Sequence, residues 1–335
     1  MTVMKKLLLT RILALALAAT LALSFSSCTL NLDRILGAFG GDADTPFTPS
    51  HIEEVVKGTY EESYRDQLNA NEIAVYDLIA AAKPGENEFT ITLPERVEVC
   101  RGEAPTDEEK AVAAEKLTYW ITNALYALWL DVPGLFWLET GNYKYAYMIE
   151  PDDESIYAVS EINVTVEKRD TIADATAAAN AIESVLSGLS LKRESDVETV
   201  RAINDYLCKR IDYVDTDNRQ NIYGALVSRK CVCEGYAHAF KLLCDRFGVT
   251  CATVIGTGIT EDGEEGHMWN AVKIDGAWYA VDVTWNDSTE SNTFLLVGKE
   301  TKCYDTTFGA SHILMYTRGT SKQFAAPVVE KDAYK

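Results

Sequence analysis

Asp275-Gly276 divides two runs of alternating residues, 267–274 and 278–285, and such a dipeptide is a strong two-residue hairpin signal. A two-residue turn fixes the register, so that Ile274 faces Ala277 and Trp269 faces Asp282. His267 then lies on the same face as Asp282, one diagonal step away, roughly 7–8 Å or less between Cβ atoms. An aspartate can reach an imidazole across that gap. The other face carries Met268, Val272, Ile274, Tyr279, Val281 and Val283 and is expected to pack on the core. The hairpin thus reads as chemistry on one face and burial on the other.

A helix precedes it. Residues 234–247 place Ala237, Phe240, Leu243, Cys244 and Phe247 on one apolar stripe, and Gly248 ends the run. Cys233 opens that helix, where free backbone N–H groups point outward. The thiolate is the reactive form of cysteine, and a helix start and a nearby imidazolium both favour it. The same N–H groups suit the oxyanion formed when a carbonyl is attacked. Cys233, His267 and Asp282 are therefore candidate nucleophile, base and orienter in chain order. Taken singly each has a plainer reading: a small buried hydrophobe, a structural histidine, a capping or solvated aspartate. The joint spacing carries the argument.

The segments Cys233-Glu234-Gly235-Tyr236-Ala237, Gly266-His267-Met268-Trp269-Asn270 and Val281-Asp282-Val283-Thr284-Trp285 resemble the core of the bacterial transglutaminase-like superfamily. The resemblance spans about residues 196–300. It implies an α+β, papain-like core in which a nucleophile helix packs on an antiparallel sheet, here preceded by a smaller mixed N-terminal domain. It also implies a catalytic triad of Cys233, His267 and Asp282. Asp131 to Trp137 resembles a segment found ahead of this core in some bacterial members. The family includes transglutaminases, peptidases, amidases and members without known activity, so it implies the chemistry better than the substrate. Tyr223 sits where the family often has an aromatic residue, with a buried structural tyrosine as the simpler reading.

The formal net charge is −20, which disfavours nucleic acid as a partner, since phosphates would be repelled. The start reads as a leader. Lys5, Lys6 and Arg11 precede an apolar run, Ile12 to Leu23, too short to span a bilayer comfortably. Ser24-Phe25-Ser26-Ser27-Cys28 resembles the cleavage box of bacterial lipoproteins, which makes Cys28 the lipidated first residue of a surface-anchored protein, with plain secretion as the alternative. Export permits disulfides among Cys100, Cys208, Cys231, Cys244, Cys251 and Cys303, with connectivity left open and buried free thiols equally admissible. Cys231 competes with Cys233, and the Glu-Gly-Tyr-Ala run directly after Cys233 decides between them. Zinc is not expected, because Cys231, Cys233, His238 and Cys244 do not match paired-ligand spacings. His238 stands about 140° around the helix from Cys233. No cofactor is expected.

The domain reading is a leader over 1–28, a tether over 29–50, an N-terminal α+β domain over 51–190, a catalytic domain over 191–320 and a frayed tail over 321–335. Helices are expected over 52–83, over a long run behind the Thr106/Glu109 capping box, over 171–188, and from the Ser195/Glu198 box to Arg210. Strands are expected at Glu88 to Leu93, 142–149, 156–167, 249–257 and 294–297, with a short helical stretch near 221–228. Thr260 to Gly266 reads as an acidic loop before His267 that can rim a cleft, and His312 as structural. The leading expectation is a thiol acyl-transfer enzyme acting on protein or peptide amides. The rival is a surface binding module on the same fold with an idle triad.

Overall fold

The computed structural model describes the backbone of residues 26–31 and all atoms of 60–261, 263–314 and 324–335. The leader over 1–28 lies outside the described residues, save the backbone of Ser26, Ser27 and Cys28. Two antiparallel sheets frame a set of helices. The first holds β1 (Ser26–Asn31), β2 (Glu88–Arg101), β3 (Leu138–Tyr147), β4 (Glu150–Pro151) and β5 (Ile156–Lys168), in the order β1-β3-β5-β2 with β4 on β5. Part of the expected tether, Thr29 to Asn31, is thus edge strand, paired with Asn142 to Lys144.

The N-terminal helices form as their caps direct. Helix α1 (Ala70–Ala80) starts at Asn69, whose side chain accepts from the N–H groups of Asn71 and Glu72. It is shorter than expected, because Tyr64–Gln67 turn as a separate 3-10 segment. Helix α2 (Asp107–Asp131) begins in the Thr106/Glu109 capping box, with Leu117, Ile121, Leu125 and Leu128 fully buried. The tyrosine stripe of β3 packs on α2. The hydroxyls of Tyr143 and Tyr145 lie 2.7 Å from those of Thr122 and Thr118. The stripe is therefore core, with its polar ends satisfied by one helix.

Helix α3 (Ala175–Ser187) and helix α4 (Asp196–Cys208) follow, the second opened by Ser195 and Glu198. Strands β6 (Asp212–Tyr213) and β7 (Lys230–Cys231) pair in parallel, with a π-helical turn at Gly224–Ser228 before β7. Helix α5 (Cys233–Phe247) then packs on the second sheet. That sheet contains β8 (Cys251–Thr260), β9 (Gly263–Ile274), β10 (Ala277–Val281), β11 (Leu295–Val297) and β14 (His312–Leu314), in the order β11-β10-β9-β8-β14. Helix α6 (Val283–Ser288) leaves the end of β10. The short ribbon β12 (Lys302–Cys303) with β13 (Thr306–Thr307) leads into helix α7 (Phe308–Ser311).

Two expectations are corrected here. The acidic stretch before His267 is no open loop: Thr260 pairs with Gly263, and β9 has already begun at Gly263. Residues 324–335 do not fray. Phe324 is fully buried, its ring stacked on Tyr126, and Val329 bridges to Trp278. One body of buried apolar side chains runs from Tyr64 in the N-terminal half to Phe240 in α5 and on to Phe324. The described cysteine side chains are all free thiols. Among the described residues no helix is long and apolar enough to cross a membrane.

Candidate active site

The Asp275-Gly276 turn sets the site as the sequence predicts. Both turn residues have positive φ, +51° and +84°, the conformation that suits a tight hairpin. Ala277 pairs with Ile274 and Val281 with Asn270, the expected register. Strand β10 nevertheless stops at Val281, short of the run to residue 285 that the alternation suggested. Asp282 becomes the N-cap of α6, its Oδ1 accepting from the Trp285 N–H at 3.1 Å. Its backbone N–H still donates to the Phe294 carbonyl at 2.9 Å, so it remains tied to the sheet edge. Freed from the pleat, the carboxylate turns its other oxygen inward. Asp282 Oδ2 lies 2.7 Å from Nε2 of His267.

Cys233 is the first residue of α5, and its side chain lies near enough to the His267 imidazole to help raise its pKa. With Nε2 on Asp282, Nδ1 is the ring nitrogen left for the thiol. The N-cap, Val232, brings no side-chain acceptor to the helix start. The first-turn N–H groups around Cys233 are thus free of a side-chain cap, as an oxyanion site requires. The helix can approach this closely because residue 235 is glycine. A Cβ there would stand 2.4 Å from Cys231 Cβ and 2.6 Å from the Arg219 carbonyl oxygen. Cys231 is fully buried and burial pushes its thiol up, whereas Cys233 is half-exposed. Reachability separates the two cysteines.

The rest of the Cys-Glu-Gly-Tyr-Ala run anchors the helix. The Tyr236 hydroxyl donates to Asp287 of α6 at 2.6 Å, and Glu234 accepts from Trp129 of α2 at 2.8 Å. Burial pushes the Glu234 carboxyl up to about 7. From β9, the Asn270 amide donates to the carbonyls of Ala237 and Ala252, tying α5 to β8. His238 does not face Cys233. Its ring lies edge-on to Trp129, and burial lowers its pKa to about 3.

Both faces of the hairpin are buried, a correction to the two-faced expectation. Met268, Val272, Ile274, Val281 and Val283 join the main core, as expected. Trp269, Ala271, Trp278 and Ala280 join a second core with Phe294 and Phe308. His267, 3% exposed, lies within that aromatic layer, 5.2 Å from the Trp285 ring and nearly parallel to it. Burial by itself lowers the pKa of such an imidazole. The Asp282 carboxylate and the Cys233 side chain override it and raise His267 to about 10. Burial likewise works to raise Asp282, but the two imidazoles beside it hold it well below the usual carboxylate range.

The second imidazole belongs to His312, which sequence reading set aside. Its Nε2 lies 3.0 Å from the same Asp282 Oδ2. Sheet order brings it there: β14 pairs with β8, and β8 with β9, placing His312 beside Gly258 and His267 beside Gly256. Gly256 is the available signal in the sequence. A Cβ on it would stand 2.2 Å from the Ile313 carbonyl oxygen and 2.6 Å from the Trp269 ring. His267, Asp282 and His312 also make up a cluster with metal-type ligand atoms within 4.8 Å of one another. Ligands of one tetrahedral ion at 2.0–2.2 Å stand about 3.3 Å or more apart. Separations of 2.7 and 3.0 Å are those of hydrogen bonds instead. Burial, then Cys233 and Glu265, push the Tyr213 phenol up to about 12.

Residues 183–283 match the family model of the transglutaminase-like superfamily. This segment is a transglutaminase-like domain. The human protein named kyphoscoliosis peptidase is 33% identical over 171 residues, covering 45% of this chain and 26% of the relative. The chain thus spans about a quarter of that protein's length. Among solved structures, one described as a TGase is 15% identical with a TM-score of 0.29, covering 38% of this chain and 42% of its own. The ethylmercury-bound periplasmic domain of TgpA from Pseudomonas aeruginosa is 14% identical with a TM-score of 0.25, covering 44% and 74%. The matched segment begins within α3 and ends at Val283. It holds Cys233, His267 and Asp282 and excludes His312.

Proposed function

We propose that the protein is a thiol-dependent acyl-transfer enzyme acting on peptide or glutamine-type amide bonds. The observation that carries this reading is the buried His267–Asp282 pair at 2.7 Å, with the half-exposed Cys233 beside it at the start of α5. In the proposed reaction, His267 has already taken the thiol proton, so that an imidazolium stands beside a Cys233 thiolate, and the sulfur attacks the amide carbonyl. The first-turn N–H groups of α5 hold the oxyanion. His267 then returns its proton to the leaving amine, which leaves a thioester on Cys233. Water attacking that thioester completes hydrolysis, and an amine completes transamidation. The human relative's name, a peptidase, favours water as the acceptor. The leader-like start fits an exported enzyme anchored through Cys28, and an intact mass of the mature chain carrying lipid at its first residue checks this.

The test is alkylation by iodoacetamide near pH 6, where ordinary thiols react slowly, read by peptide mapping. Expected is fast labelling at Cys233, at least about 10-fold slower in H267A. C233A is expected to fold normally and to turn over none of a panel of peptides and amines. Slow wild-type labelling that ignores His267 overturns the reading and favours a binding module with an idle triad.

A further inference from the structure

We propose that His312 is a positioning residue, which fixes the Asp282 carboxylate for His267 by donating a second hydrogen bond to the same oxygen. The inference rests on the acyl-transfer reading above. Its basis is independent: two imidazole nitrogens converge on Asp282 Oδ2, His267 Nε2 at 2.7 Å and His312 Nε2 at 3.0 Å. An ionised carboxylate only accepts, so both nitrogens must carry hydrogen. Asp282 is wholly buried, and the His312 side chain has no solvent exposure. No water need be invoked to satisfy that oxygen; the two rings supply both donors.

Asp282 is thereby held at three points. Trp285 N–H binds Oδ1 at 3.1 Å, and the two histidines bind Oδ2. A carboxylate on one donor can rotate about its Cβ–Cγ bond; three donors from α6, β9 and β14 leave it one orientation. His312 is itself fixed. Its ring stacks on Phe308 at 4.0 Å and 14°, and meets Trp285 at 4.3 Å. Its Nδ1 lies 2.9 Å from the Ser311 hydroxyl, which also reaches the Phe308 carbonyl at 3.1 Å. Burial lowers the His312 pKa while Asp282 opposes this, and the buried ring serves as a donor without adding a second cation beside His267. The arrangement follows the logic of outer partners that orient a catalytic or ligating group.

Two variants separate hydrogen bonding from packing. His312→Phe keeps the ring stack on Phe308 and Trp285 but removes the N–H. His312→Gln keeps a donor and loses the ring. Expected for H312F is a loss of about 10-fold or more in the Cys233 alkylation rate at pH 6, in a protein that still folds but melts a few degrees lower, because a donor to a buried carboxylate is gone. H312Q is expected to recover most of that loss. An H312F rate equal to wild type overturns the proposal, as does H312Q no faster than H312F. If H312F fails to fold, S311A gives the second reading, because it loosens the His312 ring without touching Asp282. A reduced alkylation rate in folded S311A supports the proposal and a wild-type rate overturns it. Failure of the acyl-transfer reading itself looks different: wild type is then slow, and H267A changes nothing.

Discussion

Burial alone would push the His267 imidazole below its ordinary value of 6.5, yet beside Asp282 and Cys233 it rises to about 10. Such a shift is a statement about folding as well as reactivity. A histidine whose folded pKa is raised contributes stability that is fully present below about pH 6.5 and is lost as pH rises toward 10. Asp282, held below its ordinary 3.8, contributes above that value and loses its share as pH falls. The two describe one interaction, counted once, and its window runs from roughly pH 4 to pH 6.5, fading across the range above. The difference in urea stability between wild type and H267Q should therefore be largest near pH 6, on the order of a few kcal/mol, and shrink steadily toward pH 10. Glu234, which burial raises to about 7, destabilises the fold as pH climbs but does so in both proteins and cancels in the comparison. A difference that grows with pH would mean that His267 is neutral in the fold and that Asp282 does not hold a proton on it.

At the scale of elements, the hairpin was legible because two local rules agreed. Asp275-Gly276 adopts positive φ readily, and period-two alternation leaves one register that buries the apolar set. The nucleophile helix was legible from its apolar stripe and its closing Gly248, which adopts the left-handed conformation. Strand β10 was misread at its end, since Val281-Asp282-Val283-Thr284-Trp285 alternates as well as a strand does. What wins there is a short polar residue able to cap a helix, with Asp282 satisfying an α6 N–H through one oxygen and the imidazoles through the other. His312 was illegible for a different reason. Its contact with Asp282 spans 30 residues and depends on strand order, which no local pattern encodes. Only the glycines of β8, small residues where a strand usually carries bulk, hint that rings crowd that surface. The second aromatic core is illegible for the same reason, since Phe294 and Phe308 reach the hairpin through the order of strands and not through a local pattern.

The whole molecule poses the question of where the catalytic unit ends, for the sequence suggests a boundary near 190 while the packing crosses it. The Tyr64 hydroxyl donates to the Thr253 carbonyl of β8 at 2.8 Å. Gln67 and Ala325 exchange two hydrogen bonds at 2.9 and 2.6 Å. Trp129 of α2 reaches Glu234 beside the nucleophile, and Tyr126 of the same helix stacks on Phe324 at 5.5 Å. Cutting at 190 would bare apolar partners such as Phe324 to water, each large side chain so exposed costing about 1.5–3 kcal/mol. Several such losses together reach the whole stability of an ordinary domain, about 5–15 kcal/mol. A fragment of residues 191–335 should therefore lack a cooperative unfolding transition and bind a hydrophobic dye such as ANS. Its Cys233 should label at the same rate with or without His267. The chain from residue 60 onward should show one sharp transition. Because Trp129 sits beside the first turn of α5, the N-terminal half then acts on the site as a scaffold that sets the angle of the nucleophile helix. A 191–335 fragment that unfolds sharply and keeps His267-dependent labelling would instead place the whole catalytic unit after residue 190 and make the contacts from Tyr64, Gln67 and Trp129 accessory.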